Sequence, residues 1–278
     1  MVKRRLLCPK LPTSSAPVLL SSEEARHARK VLRLRNGDLV EALDGQGHKT
    51  LARLSSQGDQ TCLEWVNEEG GDSPSTLAQK PEMNDLLPLH LEISILKGDA
   101  MEWVIEKAVE LGVHSLTPLV TDHTVVQVQA KGEEYFKQRW QKIADQALKQ
   151  CGRLKRLEIH SPQSFKGWLK SQQKSSEGMI RFWCDESGLQ EAPFLGSWAL
   201  MHQEHLRSSG VHLLIGPEGG WSRAEKEQLR LLSEASGDFS WVRVHLGPSI
   251  LRAETAALSS VSLLSALIRA QVSEGDGT

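Results

Sequence analysis

Apolar and polar residues alternate from Leu89 to Leu96. Leu89, Leu91, Ile93 and Ile95 fall on one face, His90, Glu92 and Ser94 on the other, the period-two pattern of a β-strand. The period then changes. Met101, Val104, Ile105, Ala108 and Leu111 recur at helical spacing, with Asp99 placed to cap the start and Gly112 to end the helix. The two periods keep alternating down the chain. Strands are predicted at 113–120, 157–160, 179–184, 211–215 and 239–246. Helices are predicted at 133–150, with Phe136, Trp140, Ile143 and Ala147 on its apolar side, at 165–170, from Ser222, and from about 253 to 270. A polar stretch runs from 185 to about 210, and 273–278 reads as a frayed tail. This order predicts an α/β domain on a mostly parallel sheet covered on both faces.

The region before position 89 reads differently. Residues 1–20 are extended and punctuated by proline. Ser21-Ser22-Glu23-Glu24 opens a helix that runs through 25–34, with Arg26, Arg29, Lys30 and Arg33 toward one side and His27, Val31 and Leu34 toward another. Asn36-Gly37-Asp38 is a turn, Asp44-Gly45 a hairpin signal, and short strands are predicted at 39–43, 50–54 and 61–66. Together they make a small β-rich barrel with one helix. The stretch 67–88 is rich in Gly, Ser, Pro and acid, the composition of a linker. The predicted organisation is a first domain at 1–75, a linker at 76–88 and a second domain at 89–278.

Composition narrows the class. The chain has 278 residues, 39% hydrophobic and 24% charged, with no apolar run near the ~20 residues of a membrane helix. The basic start MVKRRLLCPKLP is too short in apolar residues for a secretory signal, so a cytoplasmic location is expected. The four cysteines are scattered without a CxxC pair, and His202 and His205 lack a third ligand, so no metal site is expected. The net charge of −2 hides an asymmetry: residues 1–60 carry 11 Lys and Arg against 6 Asp and Glu, a local excess that suits a nucleic-acid partner.

Two segments carry the candidate chemistry. LLIGPEGGWSRAE at 213–225 and VHLGPSILRAETAA at 244–257 each run from an apolar strand end through a Gly-Pro break into a helix-forming segment. The first has three glycines in five residues, which lets a ligand approach the main chain. Its Ser222 and Glu225 form the S-x-x-E capping box. Ligands in parallel sheets sit beyond the strand C-termini, where both loops fall. G-x-G-x-x-G, P-loop and G-x-S-x-G patterns are absent, which removes support for dinucleotide, nucleotide-triphosphate and serine-hydrolase sites. The polar groups at the two loops are Glu218, Arg252, Glu254 and Thr255, with Arg153 a further candidate. They supply an anion-stabilising cation and carboxylates able to take a proton.

KGDAMEWVIEKAVELGV, QCGR, LLIGPEGGWSRAE and LGPSILRAETAA resemble the RsmE family, the 16S ribosomal RNA uridine-N3 methyltransferases of the SPOUT superfamily. HARKVLRLRNGD followed by EALDGQG looks like that family's PUA-like RNA-binding domain. The resemblance spans most of the chain, in the family's motif order. It implies a SPOUT-type α/β domain with a trefoil knot in its C-terminal part, an exception to the rule that folds are unknotted, together with an N-terminal PUA-like β-barrel domain. It also implies a homodimer, S-adenosylmethionine as cofactor, and 16S rRNA or the small ribosomal subunit as partner, with no membrane and no metal. The cofactor residues so implied are Leu214, Ile215, Gly216, Pro217, Gly219, Gly220, Leu246, Gly247, Ile250, Leu251, Thr255 and Ala256. Arg252 would steady a uracil anion, and Glu254 or Glu218 would take the N3 proton. Arg4, Arg5, Arg26, Arg29, Lys30, Arg33, Arg35 and Arg153 would contact RNA. The family commonly reads LGPRILRTETA, so Ser249 and Ala253 depart from it, which bears on substrate contacts more than on the cofactor. Two other readings fit the same residues: a related knotted ribose 2′-O-methyltransferase of tRNA or rRNA, and a non-catalytic rRNA-binding assembly factor.

Overall fold

The computed structural model describes residues 4–66, 88–172, 178–187, 191–208, 210–235 and 241–270. Apart from Pro88, the expected linker lies outside the described residues, as does the C-terminal tail. The described chain forms two compact units. One holds the residues before position 67 together with Asp145–Arg156, the other the remainder.

In the first unit β1 (Arg5–Leu7), β2 (Val18–Leu19), β3 (Leu39–Leu43), β4 (Lys49–Gln57) and β5 (Gln60–Trp65) form a sheet in the order β1-β3-β4-β5-β2. β1 runs parallel to β3 and the other pairs are antiparallel. The extended segment 1–20 therefore supplies two strands that its proline-rich sequence did not announce. Leu6, Val40, Ala42, Ala52, Leu54 and Leu63 make the core with Ala28 and Leu34 from the helical segment. That segment starts as expected: Ser21 caps α1 (Ser22–Arg26), its Oγ accepting from Glu24 N at 3.2 Å. It does not run on to Leu34 as an α-helix. From His27 to Val31 it widens to a π-helical turn, Leu32 N donating to His27 O, and Arg33 then takes a positive φ of 54°. The break turns Leu34 inward to the core, so burial overrides helix propensity here.

The second unit contains β6 (Leu89–Ser94), α2 (Asp99–Glu110), β7 (Ser115–Val120), a 3-10 turn at Val128–Ala130, the first part of α3 (Glu133–Cys151, which passes to the first unit at Asp145), β8 (Glu158–Ile159), β9 (Gln163–Ser164), α4 (Phe165–Gln172), β10 (Met179–Cys184), α5 (Leu195–Met201), α6 (Gln203–Ser208), β11 (Gly210–Ile215), α7 (Arg223–Ala235), β12 (Trp241–Val244) and α8 (Ala253–Ala270). The sheet order is β12-β10-β11-β6-β7-β8, with β9 also on β7, and every pair among the described residues is parallel. All strand C-termini thus open on one edge.

The polar face of β6 is buried, in line with a sheet covered on both faces, because β6 is a central strand: Glu92 is 3% exposed and Ser94 fully buried. Two expectations change. Gly98, with φ of 54°, occupies the cap position of α2, and Asp99 is its first helical residue. The polar stretch after β10 contains α5 and α6, held by buried Leu195, Trp198 and Ala199, with Trp198 edge-on to Phe182 at 4.9 Å. Trp140, expected on the apolar side of α3, is buried, as is Trp168 on α4, whereas Trp103 on α2 is 46% exposed.

The end of α3, from Asp145, belongs to the first unit and shows what two of the basic residues do. Lys149 pairs with buried Glu24 at 2.9 Å. Arg5 donates from Nη1 to Lys149 O at 2.9 Å and Gln150 O at 3.1 Å, and from Nε to Glu41 at 2.9 Å. It thereby satisfies carbonyls that every helix C-terminus leaves over.

Candidate active site

The C-termini of β12, β10 and β11, adjacent in the sheet, lead into the walls of one cavity of about 510 Å³, within the range of small-molecule sites. The first Gly-Pro loop contributes Ile215, Gly216, Pro217, Glu218, Gly220 and Trp221. The second contributes Leu246, Gly247, Ser249, Ile250, Leu251, Arg252, Ala253, Glu254 and Ala256. The structure thus brings together most of the residues singled out from sequence. Three stand apart from the lining: Leu214 is buried in the core with Trp183 and Trp221, Thr255 is exposed, and Gly219 faces His123. The lining also includes Ala100, Cys184, Asp185, Glu186 and His245. Cys184, Asp185 and Glu186 were not legible in the sequence because the end of β10 carries no loop motif and only the strand order sets it beside β11; His245 lies within the second Gly-Pro segment and Ala100 within the KGDAMEW stretch.

The first loop is held by its own side chains. A Cβ on Gly216 would lie 2.9 Å from the Trp221 ring, and Trp221 donates from Nε1 to Cys184 O at 2.9 Å. Ring and glycine therefore need each other. Gly220 has φ of 70°, and its N–H donates to Pro217 O at 2.9 Å. The capping box forms as the sequence predicts: Glu225 N donates to Ser222 Oγ at 3.2 Å and Ser222 N to Glu225 Oε2 at 2.9 Å. Glu218 reaches away from the helix and accepts Lys97 N at 2.9 Å.

Charge is arranged unevenly around the cavity. The Asp185 side chain has no solvent exposure and accepts from Lys226 at 2.9 Å, from Arg243 at 2.7 and 3.0 Å, and from Ser187. Burial alone would raise its pKa, but the hydrogen bonds from Lys226, Ser187 and Arg243 outweigh it and hold the carboxylate below its usual range. Burial pushes the Cys184 thiol up to about 12, so it is not a nucleophile. Arg252 caps the start of α8, its carbonyl accepting Ala256 N at 2.8 Å. Its guanidinium is exposed, and among the described residues neither Arg252 nor Glu254 forms a side-chain ion pair. Both are thus available to a ligand.

The basic residues of the first unit separate into two groups. Arg26, Lys30, Arg33 and Arg35 are exposed, as is Arg4, which lies 3.5 Å from Asp38. Arg29 does not belong with them. Its guanidinium donates to Leu34 O, Asn36 Oδ1, Ser55 O and Ser56 Oγ, tying the π-turn to β4. Arg5 is likewise taken up by the end of α3, and Arg153 is half-buried. His202 stacks on Trp198 at 4.3 Å, with His205 6.2 Å away.

A parallel α/β unit with a glycine-walled cavity at its strand ends is thus carried on the same chain as a small β unit with an exposed basic segment. Residues 82–265 match the family model of the RNA methyltransferase domain, and residues 20–63 match the RNA methyltransferase PUA domain. The chain belongs to this RNA methyltransferase family, in the branch of ribosomal RNA small subunit methyltransferase E. The protein of that name from Bacillus subtilis is 30% identical over 259 residues, covering 90% of this chain and 91% of its own. Among solved structures, the Neisseria gonorrhoeae ribosomal RNA small subunit methyltransferase E bound to S-adenosyl methionine matches with a TM-score of 0.75 at 25% identity, over 95% of this chain and 98% of that one. A Legionella pneumophila methyltransferase in complex with S-adenosyl methionine matches with a TM-score of 0.74 at 25% identity, over 96% and 98%.

Proposed function

We propose that this enzyme transfers a methyl group from S-adenosylmethionine to N3 of a uridine in 16S ribosomal RNA of the small subunit. The observation that carries the reading is the cavity in which both Gly-Pro loops meet, with Arg252 and Glu254 on its wall and unengaged. The residues present fit the donor: the volume suits a nucleoside-sized ligand, and glycine at 216 and 220 keeps main chain, Trp221 and Glu186 close where a Cβ would intrude. Ile215, Gly216, Pro217, Gly220, Leu246, Gly247, Ile250, Leu251 and Ala256 would hold it, joined by Asp185 and Glu186 from the β10 end. When bound, the donor would supply a methyl group activated on a sulfonium, whose carbon–sulfur bond breaks with the electron pair going to sulfur, leaving a neutral thioether.

The protein's own task is the acceptor. N3 of uridine carries a proton and is a poor nucleophile while it does. A carboxylate on the cavity wall takes that proton as the N3–methyl bond forms, and a guanidinium beside it balances the negative charge that develops on the uracil ring. Arg252 fills the second role. Of the two candidate carboxylates, Glu218 already accepts a main-chain N–H from Lys97 and braces its loop. Glu254 has no such tie and lies two residues beyond Arg252, so Glu254 is assigned the proton. Orientation of the two reactants in the cavity supplies much of the remaining acceleration.

Arg26, Lys30, Arg33, Arg35 and Arg4 would meet RNA phosphates, as contacts that position rather than specify. The same reading carries the family's homodimer, the trefoil knot and a cytoplasmic location. No helix among the described residues is long and apolar enough to cross a membrane. The test is methyl transfer from labelled S-adenosylmethionine to small subunits lacking the modification, followed by nucleoside analysis. Label in 3-methyluridine is the expected result. Label on a ribose would replace the reading with 2′-O-methylation. Failure to bind the donor at all would leave a non-catalytic rRNA-binding factor.

A further inference from the structure

The segment that follows β7 has no place in the mechanism above, yet it is built against the back of the glycine loop. His123 Nδ1 lies 3.1 Å from Gly219 O and 2.9 Å from Gly220 O. Both neighbours are carbonyl oxygens that can only accept, so Nδ1 must carry the proton. One N–H thereby holds two consecutive carbonyls of the loop. The contact is close in van der Waals terms too: a Cβ at position 219 would sit 3.2 Å from the His123 Cβ.

The segment is itself rigidly placed. Thr124 Oγ1 accepts Thr121 N at 2.9 Å, and the hydroxyls of Ser94, Thr121 and Thr124 lie within 3.0 Å of one another at the C-terminal end of β6. Asp122 N donates to Glu225 Oε1 at 2.9 Å, and Ser222 Oγ donates to Asp122 Oδ2 at 2.6 Å. A chain of hydrogen bonds thus runs from the central strand through residues 121–124 to the loop and the start of α7. On the loop's other flank, Glu218 accepts Lys97 N. A loop with three glycines in five residues has much conformational freedom to lose, and His123, which is not among the residues lining the cavity, holds two of its carbonyls.

We propose that His123 is a positioning residue for the donor pocket: its Nδ1–H fixes the Gly219 and Gly220 carbonyls so that the loop is already shaped before the donor enters. This rests on the reading of the cavity as the S-adenosylmethionine site. A loop ordered in advance costs less to order on binding, so His123 acts on donor affinity and not on the chemical step.

The test uses three variants of the full chain. In His123→Asn the side-chain amide nitrogen can occupy the place of Nδ1. In His123→Gln it reaches instead to the place of Nε2, and His123→Ala has no donor. Calorimetric titration with S-adenosylmethionine should show affinity about three- to tenfold weaker for the Ala and Gln variants, the factor one net hydrogen bond is worth. The Asn variant should stay within about twofold of wild type on the same scale. In turnover, KM for the donor should rise in the Ala variant while kcat at saturating donor holds. Amide hydrogen exchange on the ligand-free protein gives a readout independent of any ligand: residues 219–222 should exchange faster in the Ala and Gln variants and be restored in the Asn variant. Wild-type affinity and exchange in His123→Ala would overturn the proposal, as would failure of Asn to rescue exchange. If wild type itself fails to bind S-adenosylmethionine, the donor reading falls, and the exchange data alone decide whether the clamp exists.

Discussion

His90 should make the protein acid-sensitive. It sits on β6 with Nδ1 2.6 Å from Ser115 Oγ, stacks on His212 at 4.5 Å and meets His114 edge-on at 5.4 Å. Burial, and next the neighbouring His212, lower its pKa from 6.5 to about 4. Glu92 opposes the shift, and His114 and His160 add to it. Arg181, in register with His212 on β10, adds another cation on this face. Between pH 6.5 and 4 the unfolded chain holds a proton on this residue that the folded chain refuses. Stability therefore rises with pH through this window and is lost as pH falls through it. At 1.36 kcal/mol per unit the ceiling is about 3 kcal/mol, and the partly exposed ring brings it to about 1–2 kcal/mol. The assay is urea unfolding of wild type and His90→Asn, which keeps an amide at the Ser115 contact and does not titrate. From pH 7 to pH 5 wild type should lose about 1 kcal/mol more than the variant. Equal losses would refute the reasoning, since the remaining titrating groups are common to both proteins.

Other outcomes follow from the same geometry. Arg252→Ala should lower kcat for methyl transfer at least about a hundredfold, while calorimetric affinity for S-adenosylmethionine stays close to wild type. Gly220→Ala should weaken donor binding by about tenfold or more, because φ is 70° and the new Cβ would meet Glu186 Oε1 at 2.8 Å; isothermal titration checks it. Reversing Lys30 and Arg33 to Glu should lower affinity for small-subunit RNA and flatten its salt dependence in filter binding. Arg29→Ala should instead leave the salt slope alone and cost about 1–3 kcal/mol of folding stability, measured by denaturant melts.

The elements most open to sequence reading were those whose side chains obey one period and one local rule. The strand at Met179–Cys184 and the helix at Ala253–Ala270 fall at the predicted bounds. The capping box was legible because Ser222 and Glu225 satisfy each other within one turn. What was not legible depends on partners far along the chain. Alternation places Glu92 on the second face of its strand but cannot name its partner, which is His212 on the neighbouring strand, Nδ1 2.6 Å away. Arg29 reads as one of a basic stripe until β4 supplies Ser55 O and Ser56 Oγ to its guanidinium. Asp185 carries no motif of its own and becomes a site residue only because β10 lies between β11 and β12.

The two loops of the cavity resemble each other in sequence and differ in how they are held. The first is braced along its length: Glu218 by Lys97 N, Gly219 and Gly220 by His123, Trp221 by Cys184 O, and Ser222 by Glu225. The second is anchored near its ends, Gly247 N on His245 Nδ1 at 3.1 Å and Ala256 N on Arg252 O at 2.8 Å. Between them Ser249 is exposed, and Ile250 is 79% exposed. Ile250, left in water on the same cavity wall as an arginine with no ion pair among the described residues, is surface that a flat, partly apolar, partly anionic group would cover with gain. On the proposed reading the division is functional. Both loops would line the donor pocket; the braced first loop meets the donor as a wall shaped beforehand, while the second, with fewer ties among the described residues, also carries Arg252 and Glu254 toward the arriving nucleotide. Ser249 lines the same cavity from that second loop and is exposed there, and on the proposed reading the departure bears on substrate contacts more than on the first loop, which keeps its braces.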